Sequence, residues 1–259
     1  MSQKLEQRLT ALLDNNAAAT LAGMRRGLEK ESLRITSDGR IAQTPHPEAL
    51  GSTLTHPWIT TDYSEALLEF ITPASDQLSQ PLEFLDRLHR FTYANIGDEI
   101  LWTSSMPCMV HEDGEVPIAE YGPSNVGQMK HIYRRGLGYR YGRKMQAIAG
   151  IHYNFSYPDE FWRLHQQLEH NDNAEQDWIN RRYFDLLRNF LRYSWLLVYL
   201  FGASPAVCAS FLSGRAHQLL KKHDHTLFRP FATSLRMSDL GYQNNAQSSL
   251  HVSVNNLEE

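Results

Sequence analysis

A ten-residue segment near the start of the chain, "RGLEKESLRI" at 26–35, constrains the fold most. With the two-residue period of a β-strand, one face combines acids with aliphatic side chains, Glu29, Glu31, Leu33 and Ile35. The opposite face carries Lys30, Ser32 and Arg34. A strand of a soluble protein normally turns its aliphatic side toward the core, so this pattern predicts two inward-facing carboxylates. Such carboxylates require a partner, because an unpaired charge in apolar surroundings costs several kcal/mol.

Two kinds of partner satisfy the pair of glutamates. The arginines in or beside the segment could form ion pairs with them, namely Arg25, Arg26 and Arg34. A metal ion is the other partner, because side chains two residues apart on a strand have Cα atoms about 6 to 7 Å apart. Oxygen ligands favour a hard cation, so the expected metal is Mg²⁺ or Mn²⁺. The segment alone leaves both explanations open.

Two further segments offer metal-ligating side chains. Residues 51–73, "GSTLTHPWITTDYSEALLEFITP", contain Asp62, Glu65 and Glu69, but the segment has both helix and strand propensity. The segment "AIAGIHYNFSY" alternates as a strand and places His152 on one face with Gly150 and Asn154. A single strand histidine is more often a satisfied core residue than a ligand. The combination of Glu29, Glu31, Asp62, Glu69 and His152 nevertheless favours a metal site.

A basic, tyrosine-rich segment could bind anions. Residues 112–144 form a polar, glycine-rich and aromatic region, and "MKHIYRRGLGYRYGRKMQ" at 129–146 combines cationic side chains with tyrosines and three glycines. Such a mix can hold phosphates with flexible backbone and cationic side chains. Its sequence matches neither the dinucleotide-binding fingerprint nor the P-loop. A surface for single-stranded nucleic acid is disfavoured, because the whole chain has a formal net charge of -4.

The remaining pattern predicts helices around these strands. Helical spacing of apolar residues occurs in "LEQRLTALLDNN", in 78–100 with a break near Gly97, and twice in 158–201. The uncharged segment 193–214 is long enough to cross a bilayer, but "GASP" interrupts it. It is therefore predicted as a buried core helix ending near Gly202, followed by an apolar segment after Pro205, with no membrane association. "SSLHVSVNN" predicts one more strand near the end of the chain.

Composition supports a single α+β domain over 1–259. The cysteines and the N-terminus support a location in the reducing cytoplasm. The chain has 259 residues, 42% of them hydrophobic, which is enough for a packed core. No repeat or linker divides it. Cys108 and Cys208 are far apart in sequence without metal-type spacing, and the N-terminus does not resemble a signal peptide.

Several segments closely resemble the proteobacterial type of glutamate-cysteine ligase. They are "RGLEKESLRI", "LTHPWITTDYSEALLEFITP", "EYGPSNVG", "YRRGLGYRYG", "GIHYNFS", "YLFGASPAVC" and "ATSLRMSDLGY", in the family's order from about residue 20 onward. The resemblance implies a fold related to glutamine synthetase, with an antiparallel sheet curved around the site. It also implies the ATP-dependent first step of glutathione synthesis. In that reaction the γ-carboxylate of L-glutamate is phosphorylated, and the amine of L-cysteine displaces the phosphate.

The resemblance also implies roles for particular residues. The implied ligands of Mg²⁺ or Mn²⁺ are Glu29, Glu31, Asp62, Glu69 and His152. Tyr133, Arg236 and Tyr242 are implied to line the amino-acid pocket, with Arg236 pairing a substrate carboxylate as a catalytic residue. Arg134 is the implied contact to ATP phosphate. A structural pairing of Arg236 and Tyr242 with Asp239 remains the alternative.

Length is where the sequence departs from the family, whose members are roughly twice as long. The leading hypothesis is that the chain is the N-terminal half of a glutamate-cysteine ligase, inactive by itself and able to associate through the surface that the other half would cover. Two alternatives stay open. One is a short non-catalytic homologue that binds glutamate, metal or a partner protein, and the other is a carboxylate-amine ligase of the same fold that uses a different amine.

Overall fold

A computed structural model describes residues 3–202, 204–241 and 253–255. The described chain has the expected α+β architecture, with antiparallel sheets and flanking helices. The helices are α1 Gln3–Asp14, α2 Ala17–Leu21, α3 Ser79–Tyr93, α4 Asn125–Tyr141, α5 Arg143–Gln146, α6 Asp159–Leu168 and α7 Glu175–Phe201. The strands are β1 Arg25–Ile35, β2 Ile59–Thr61, β3 Leu67–Ile71, β4 Ile100–Leu101, β5 Ile151–Ser156, β6 Ala206–Cys208, β7 Leu220–His223 and β8 Thr226–Phe228.

Strand β1 is the centre of the main five-stranded sheet. It pairs with β3 along one edge, and with β5 and then β4 along the other. Strand β2 extends the sheet beyond β3. All of these pairings are antiparallel, so residues directly opposite each other point to the same side of the sheet. The eleven-residue length of β1 allows it to bring two different neighbours together.

Each face of this sheet has its own hydrophobic core. One face carries Leu33 and Ile35 of β1, which pack with Tyr63, Leu67 and Val110. The other face carries Leu68 and Phe70 of β3 beneath helix α3, which contributes Leu88. The sequence period gives β1 a polar second face, and the structure shows that this face is also covered, since Ser32 and Arg34 are fully buried.

A second, smaller sheet lies against the chain segment that follows β4. Its order is β6-β8-β7, again antiparallel. Val207, Phe211 and Leu227 of this region pack against Met106 and Ile148 in a third core cluster. An isolated bridge joins Ser204 to Ser234, and the Leu235 amide donates to the Ser204 carbonyl oxygen at 2.7 Å. These contacts hold the one-turn helix Leu235–Met237 beside β6.

The prediction of flexible backbone in "MKHIYRRGLGYRYGRKMQ" was wrong, because 125–141 form helix α4 and 143–146 form α5. Ser124 caps the helix by accepting a hydrogen bond from the Gly127 amide at 3.1 Å. Gly127 also allows a close approach of the preceding loop: a Cβ there would lie 2.5 Å from the Tyr121 carbonyl oxygen. Gly127 therefore permits tight packing of the start of the helix against this loop.

Helix α7 was predicted in the right place but with the wrong burial. It ends at Phe201, as expected, yet much of its apolar surface is exposed in this chain, including Trp195 at 63% and Phe201 at 74%. The only buried side chain among its described residues is Trp178. Within the part of the chain that the structure describes, no helix is both long and apolar enough to span a membrane.

The other local predictions differ in outcome. Helices α1 and α3 are confirmed, although α3 ends at Tyr93, before Gly97. The two helices of 158–201 are confirmed as α6 and α7, and residues 206–208 after Pro205 form β6. The ambiguous segment at 65–71 is strand from Leu67 onward. The strand predicted for "SSLHVSVNN" lies almost wholly outside the described residues.

Candidate active site

The register of β1, β3 and β5 gathers acidic and imidazole side chains on one face of the main sheet. Glu31 lies directly opposite Glu69 of β3, and Glu29 lies directly opposite His152 of β5. Opposed residues of antiparallel strands share a face, and so do residues two apart on one strand. Strand β2 lies on the far side of β3, and its Thr60 lies directly opposite Glu69. Asp62 comes two residues after Thr60 and therefore points to the same face. Side chains from four separate segments thus converge on one surface, here called the acidic face: Glu29, Glu31, Asp62, Glu69 and His152.

Hydrogen bonds hold the carboxylates of this face in fixed positions. Glu29 Oε2 lies 2.8 Å from His152 Nδ1, and Glu29 Oε1 accepts from Asn154 Nδ2 at 2.9 Å. Glu31 Oε2 accepts from the Gly150 amide at 2.6 Å. One ligand atom from each of Glu29, Glu69 and His152 lies within 4.8 Å of the other two. This spacing allows the three side chains to share one ion.

The arginines near the glutamates have other partners in the structure. Arg25 donates to the Ala74 carbonyl oxygen, and Arg26 donates to the carbonyl oxygens of Met24 and Asp76. Arg34 pairs with Glu99 at 2.7 Å on the opposite face of the sheet. Among the described residues, the ion-pair explanation for Glu29 and Glu31 therefore lacks support.

The acidic face holds more negative charge than its surroundings neutralise. Burial, followed by the carboxylates of Asp62, Glu31 and Glu29, raises the pKa of Glu69 to about 7. Burial and then Asp62 raise the pKa of Glu31, which the Gly150 amide only partly offsets. Burial also raises the pKa of Asp62, against the opposing effect of Arg134. His152 has a raised pKa because of its hydrogen bond to Glu29.

These residues fit a divalent cation. The carboxylates are held close together by the sheet, and their raised pKa values show that the ionised forms are disfavoured without a neutralising charge. A set of carboxylates with one imidazole suits Mg²⁺ or Mn²⁺, with the nitrogen ligand better tolerated by Mn²⁺.

A cavity of about 440 Å³ adjoins the acidic face. Glu31, Asp62 and His152 contribute to its wall on the sheet side, and Tyr133 and Arg134 contribute from α4. Arg236 reaches the same cavity from the one-turn helix beside β6. The structure therefore brings together residues from distant parts of the sequence that the family resemblance had assigned to metal, phosphate and amino-acid binding.

Arg236 is placed as a cation facing the acids. A Cβ built at Gly150 would lie 3.0 Å from Arg236 Nη2, a tight contact, and 3.7 Å from Glu31 Oε2, so Arg236 and Glu31 both lie beside this glycine. The buried Nε of Arg236 has no hydrogen-bond partner among the described residues. No ion pair joins Arg236 to Asp239 in that same part of the chain, so the structural alternative for Arg236 lacks a contact. Tyr242 lies outside the described residues.

Arg134 makes several contacts within the chain. Its Nε donates to the Asp62 carbonyl oxygen, and its Nη1 donates to the Lys130 carbonyl oxygen at 3.1 Å. The guanidinium also lies 4.6 Å from the centroid of the Tyr121 ring. Tyr121 in turn donates its hydroxyl hydrogen to the Thr61 carbonyl oxygen at 2.7 Å. These contacts fix the backbone of Asp62 and use two of the five N–H donors of Arg134, so its assignment to phosphate stays a prediction.

Sequence reasoning missed two residues of this arrangement. Asn154 shares the predicted face of His152 and binds Glu29, and strand alternation was the signal that could have identified it. Tyr121 carried no such signal, because its contacts depend on the packing of α4 against β2. Glu65 shares the acidic sequence segment but lies elsewhere, accepting hydrogen bonds from the amides of His46 and Glu120.

Comparison with known proteins decides the family. A family model described as glutamate-cysteine ligase matches residues 9–259. The chain belongs to the glutamate-cysteine ligase family. A glutamate-cysteine ligase of Alcanivorax borkumensis is 73% identical over 255 residues, which cover 98% of this chain and 49% of the relative. One of Pseudomonas putida is 56% identical over 257 residues, which cover 99% of this chain and 49% of the relative.

Solved structures of the family show the same fold. A glutamate-cysteine ligase of Francisella tularensis in complex with AMP has a TM-score of 0.82 and 40% identity, over 90% of this chain and 45% of that one. A bifunctional glutathione synthetase of Pasteurella multocida has a TM-score of 0.77 and 30% identity, over 96% of this chain and 31% of that one. The chain thus spans about half the length of the curated glutamate-cysteine ligases that it matches.

Proposed function

We propose that this chain supplies the metal-binding half of a glutamate-cysteine ligase active site in the cytoplasm. The observation that carries the proposal is the acidic face, where the strand register places four carboxylates and one imidazole beside a cavity that also contains Arg236. The proposed reaction joins the γ-carboxylate of L-glutamate to the amine of L-cysteine through a γ-glutamyl phosphate, with conversion of ATP to ADP and phosphate.

The proposed ligands are Glu29, Glu31, Asp62, Glu69 and His152. A bound Mg²⁺ or Mn²⁺ would neutralise the phosphate charge that builds up during phosphoryl transfer. The chain's own contribution is to fix the ligand atoms before the ion arrives. His152 and Asn154 orient Glu29, and the Gly150 amide orients Glu31. Such preorganised positioning is what phosphoryl transfer requires of a protein.

Arg236 is proposed to bind a carboxylate of an amino-acid substrate. Its planar guanidinium can donate two parallel hydrogen bonds, and its buried Nε lacks a partner among the described residues. Tyr133 extends from α4 into the same cavity and could pack against the bound amino acid. Tyr242 keeps its predicted role in that pocket as a proposal from the family resemblance alone.

One feature fits both the ligase half and a chain that binds ligands without turnover. The apolar surface of α7 is open, and β5 pairs only with β1 among the described residues, so both its edge and its side chains Ile151, Tyr153 and Phe155 are exposed. Such a surface is expected to associate with a further polypeptide. A non-catalytic homologue would share this surface, whereas use of a different amine has no structural support here.

An ADP-release assay with glutamate, cysteine and Mg-ATP distinguishes these functions. It would be run on this chain alone and on a fusion to the C-terminal half of the Alcanivorax borkumensis relative. We expect cysteine-dependent turnover in the fusion only. Turnover by the chain alone would show that these residues form a complete ligase, and calorimetric binding of glutamate without turnover in either protein would favour the non-catalytic homologue. Turnover that depends on another amine would instead favour the alternative ligase.

A further inference from the structure

The two cysteines, distant in sequence, meet in the structure. Cys108 follows β4 in a loop, and Cys208 is the last residue of β6. The two thiols line the same cavity and are close enough for each to shift the pKa of the other. Neighbouring contacts hold the two segments together, because the Val110 amide donates to Ser210 Oγ at 3.3 Å. Both cysteines are free thiols and partly exposed.

The pair is accessible to a small molecule. Cys108 and Cys208 line one cavity of about 380 Å³, together with Trp102, Ser105 and His225. This cavity is separate from the one beside the acidic face, since the two share no lining residue. We propose that Cys108 and Cys208 form a dithiol site that low-molecular-weight disulfides oxidise to an intramolecular disulfide. The proposal does not depend on the ligase activity.

The surroundings assign different roles to the two sulfurs. Burial alone would raise the pKa of Cys208, but hydrogen bonds from Cys108, Ser210 and the backbone amide of Met109 outweigh it and lower that pKa. Ser210 Oγ lies 3.2 Å from Cys208 Sγ. Burial and the neighbouring Cys208 raise the pKa of Cys108 to about 11. The proton therefore leaves Cys208 more readily than Cys108, so we assign Cys208 as the sulfur that attacks first and Cys108 as the one that resolves the mixed disulfide.

The reaction is a two-step thiol–disulfide exchange. The Cys208 thiolate attacks one sulfur of the small disulfide, forms a mixed disulfide and releases one small thiolate. Cys108 then loses its proton to solvent and attacks Cys208 Sγ, which releases the second small thiolate. The two cysteines are oxidised by two electrons in total, and the small disulfide is reduced to two thiols.

The new bond would cross the boundary between the two sheets. The loop of Cys108 contacts the start of β5, because the Ala149 amide donates to the Ser105 carbonyl oxygen at 2.8 Å. Strand β6 belongs to the smaller sheet, beside which Arg236 is held. The dithiol site thus connects the part of the chain that carries the acidic face to the part that carries Arg236.

Oxidised glutathione is the probe for this site, and the chain contains no other cysteine. We expect the wild-type chain to lose both free thiols and the mass of two hydrogen atoms. Non-reducing peptide mapping should show 108 linked to 208, and dithiothreitol should reverse the change. Wild-type chain that retains glutathione on either cysteine, links two chains together or does not react would overturn the proposal.

Two serine variants test the order of attack. Cys108→Ser should retain one glutathione at Cys208, because its resolving thiol is absent. Cys208→Ser should react at least about tenfold more slowly, since its remaining thiol is largely protonated at neutral pH. Equal rates in the two variants would contradict the assigned roles. Unchanged circular dichroism spectra would show that both variants remain folded.

Discussion

The two faces of strand β1 carry similar numbers of charged groups, but these groups are paired on one face and clustered with like charges on the other. On the face beneath α3, Lys30 contacts Ser32 and His89, and Arg34 contacts Glu99, Thr44 and several carbonyl oxygens. These charged groups have partners within the chain. On the acidic face, Glu29, Glu31 and Glu69 lie together, and the pKa of Glu69 is raised to about 7.

The comparison distinguishes charged groups that stabilise the fold by pairing within the chain from charged groups that are suited to bind a ligand. Arg34 is a buried cation whose Nη1 and Nη2 groups have partners within the chain, although its Nε has none among the described residues. Removing such a cation leaves its partners unsatisfied. Clustered carboxylates of one sign destabilise the empty site and favour binding of a cation. Burial alone does not distinguish the two faces, whereas the balance of charge does. Four variants test this comparison.

Arg34→Met should have the largest effect, on stability. Arg34 is fully buried and donates to Glu99, Thr44 and Glu65, so its loss removes the cation beside the Glu99 carboxylate and the donor to several carbonyl oxygens. We expect urea denaturation to show a loss of about 3 to 5 kcal/mol. The control is Arg40→Met, an exposed arginine paired with Asp38, for which about 0 to 1 kcal/mol is expected. Equal losses of unfolding free energy in the two variants would contradict the structural role of Arg34.

Glu29→Gln should mainly affect metal binding. The change keeps the shape of the side chain but removes one of the three ligand groups that lie within 4.8 Å of one another. Mn²⁺ affinity, measured by electron paramagnetic resonance, should fall by about 10- to 100-fold, or about 1.4 to 2.7 kcal/mol. Glu160→Gln, on the exposed side of α6, is the matched control. Unchanged affinity or normal turnover of the fused enzyme would contradict the metal assignment.

Arg236→Lys should weaken binding of an amino-acid substrate. Lysine keeps the charge but lacks the planar fork of the guanidinium. In the fused enzyme we expect KM for one amino-acid substrate to rise about tenfold, or about 1.4 kcal/mol, with a smaller change in kcat. Arg229→Lys, an exposed arginine after β8, is the control. An unchanged KM for both amino acids would indicate that Arg236 has a structural role.

Glu69→Gln should have the smallest effect of the four, and it should stabilise the folded chain where Arg34→Met destabilises it. The folded-state pKa of Glu69 is raised from 4.5 to about 7, so the folded chain loses stability as the pH rises through this interval. With EDTA present at pH 8, the variant should be more stable than wild type by about 1 kcal/mol, and at pH 5 the difference should shrink. Glu83→Gln, exposed on α3, should show neither change. Destabilisation at pH 8 would mean that Glu69 already has a compensating partner.

Local pattern predicted much of the main sheet. The alternation in "RGLEKESLRI" and "GIHYNFS" is confirmed by β1 and β5, and it placed Glu29 with Glu31 and His152 with Asn154 on common faces. Helix α4 was missed because its three glycines at 127, 136 and 138 imitate a loop. The burial of α7 was predicted wrongly because an apolar helix pattern shows which face can pack, but not whether anything covers it.

The sequence by itself determined that β1 is a strand with acids on an aliphatic face, because side-chain direction along a strand follows from its two-residue period. Only the tertiary structure decided which residues complete the site. Strand pairing set Glu31 against Glu69 and Glu29 against His152, and the docking of the smaller sheet brought Arg236 to the same cavity. It also placed Cys108 and Cys208 in the wall of one cavity. These contacts link positions far apart in the chain, so they depend on register and packing, which local patterns do not encode.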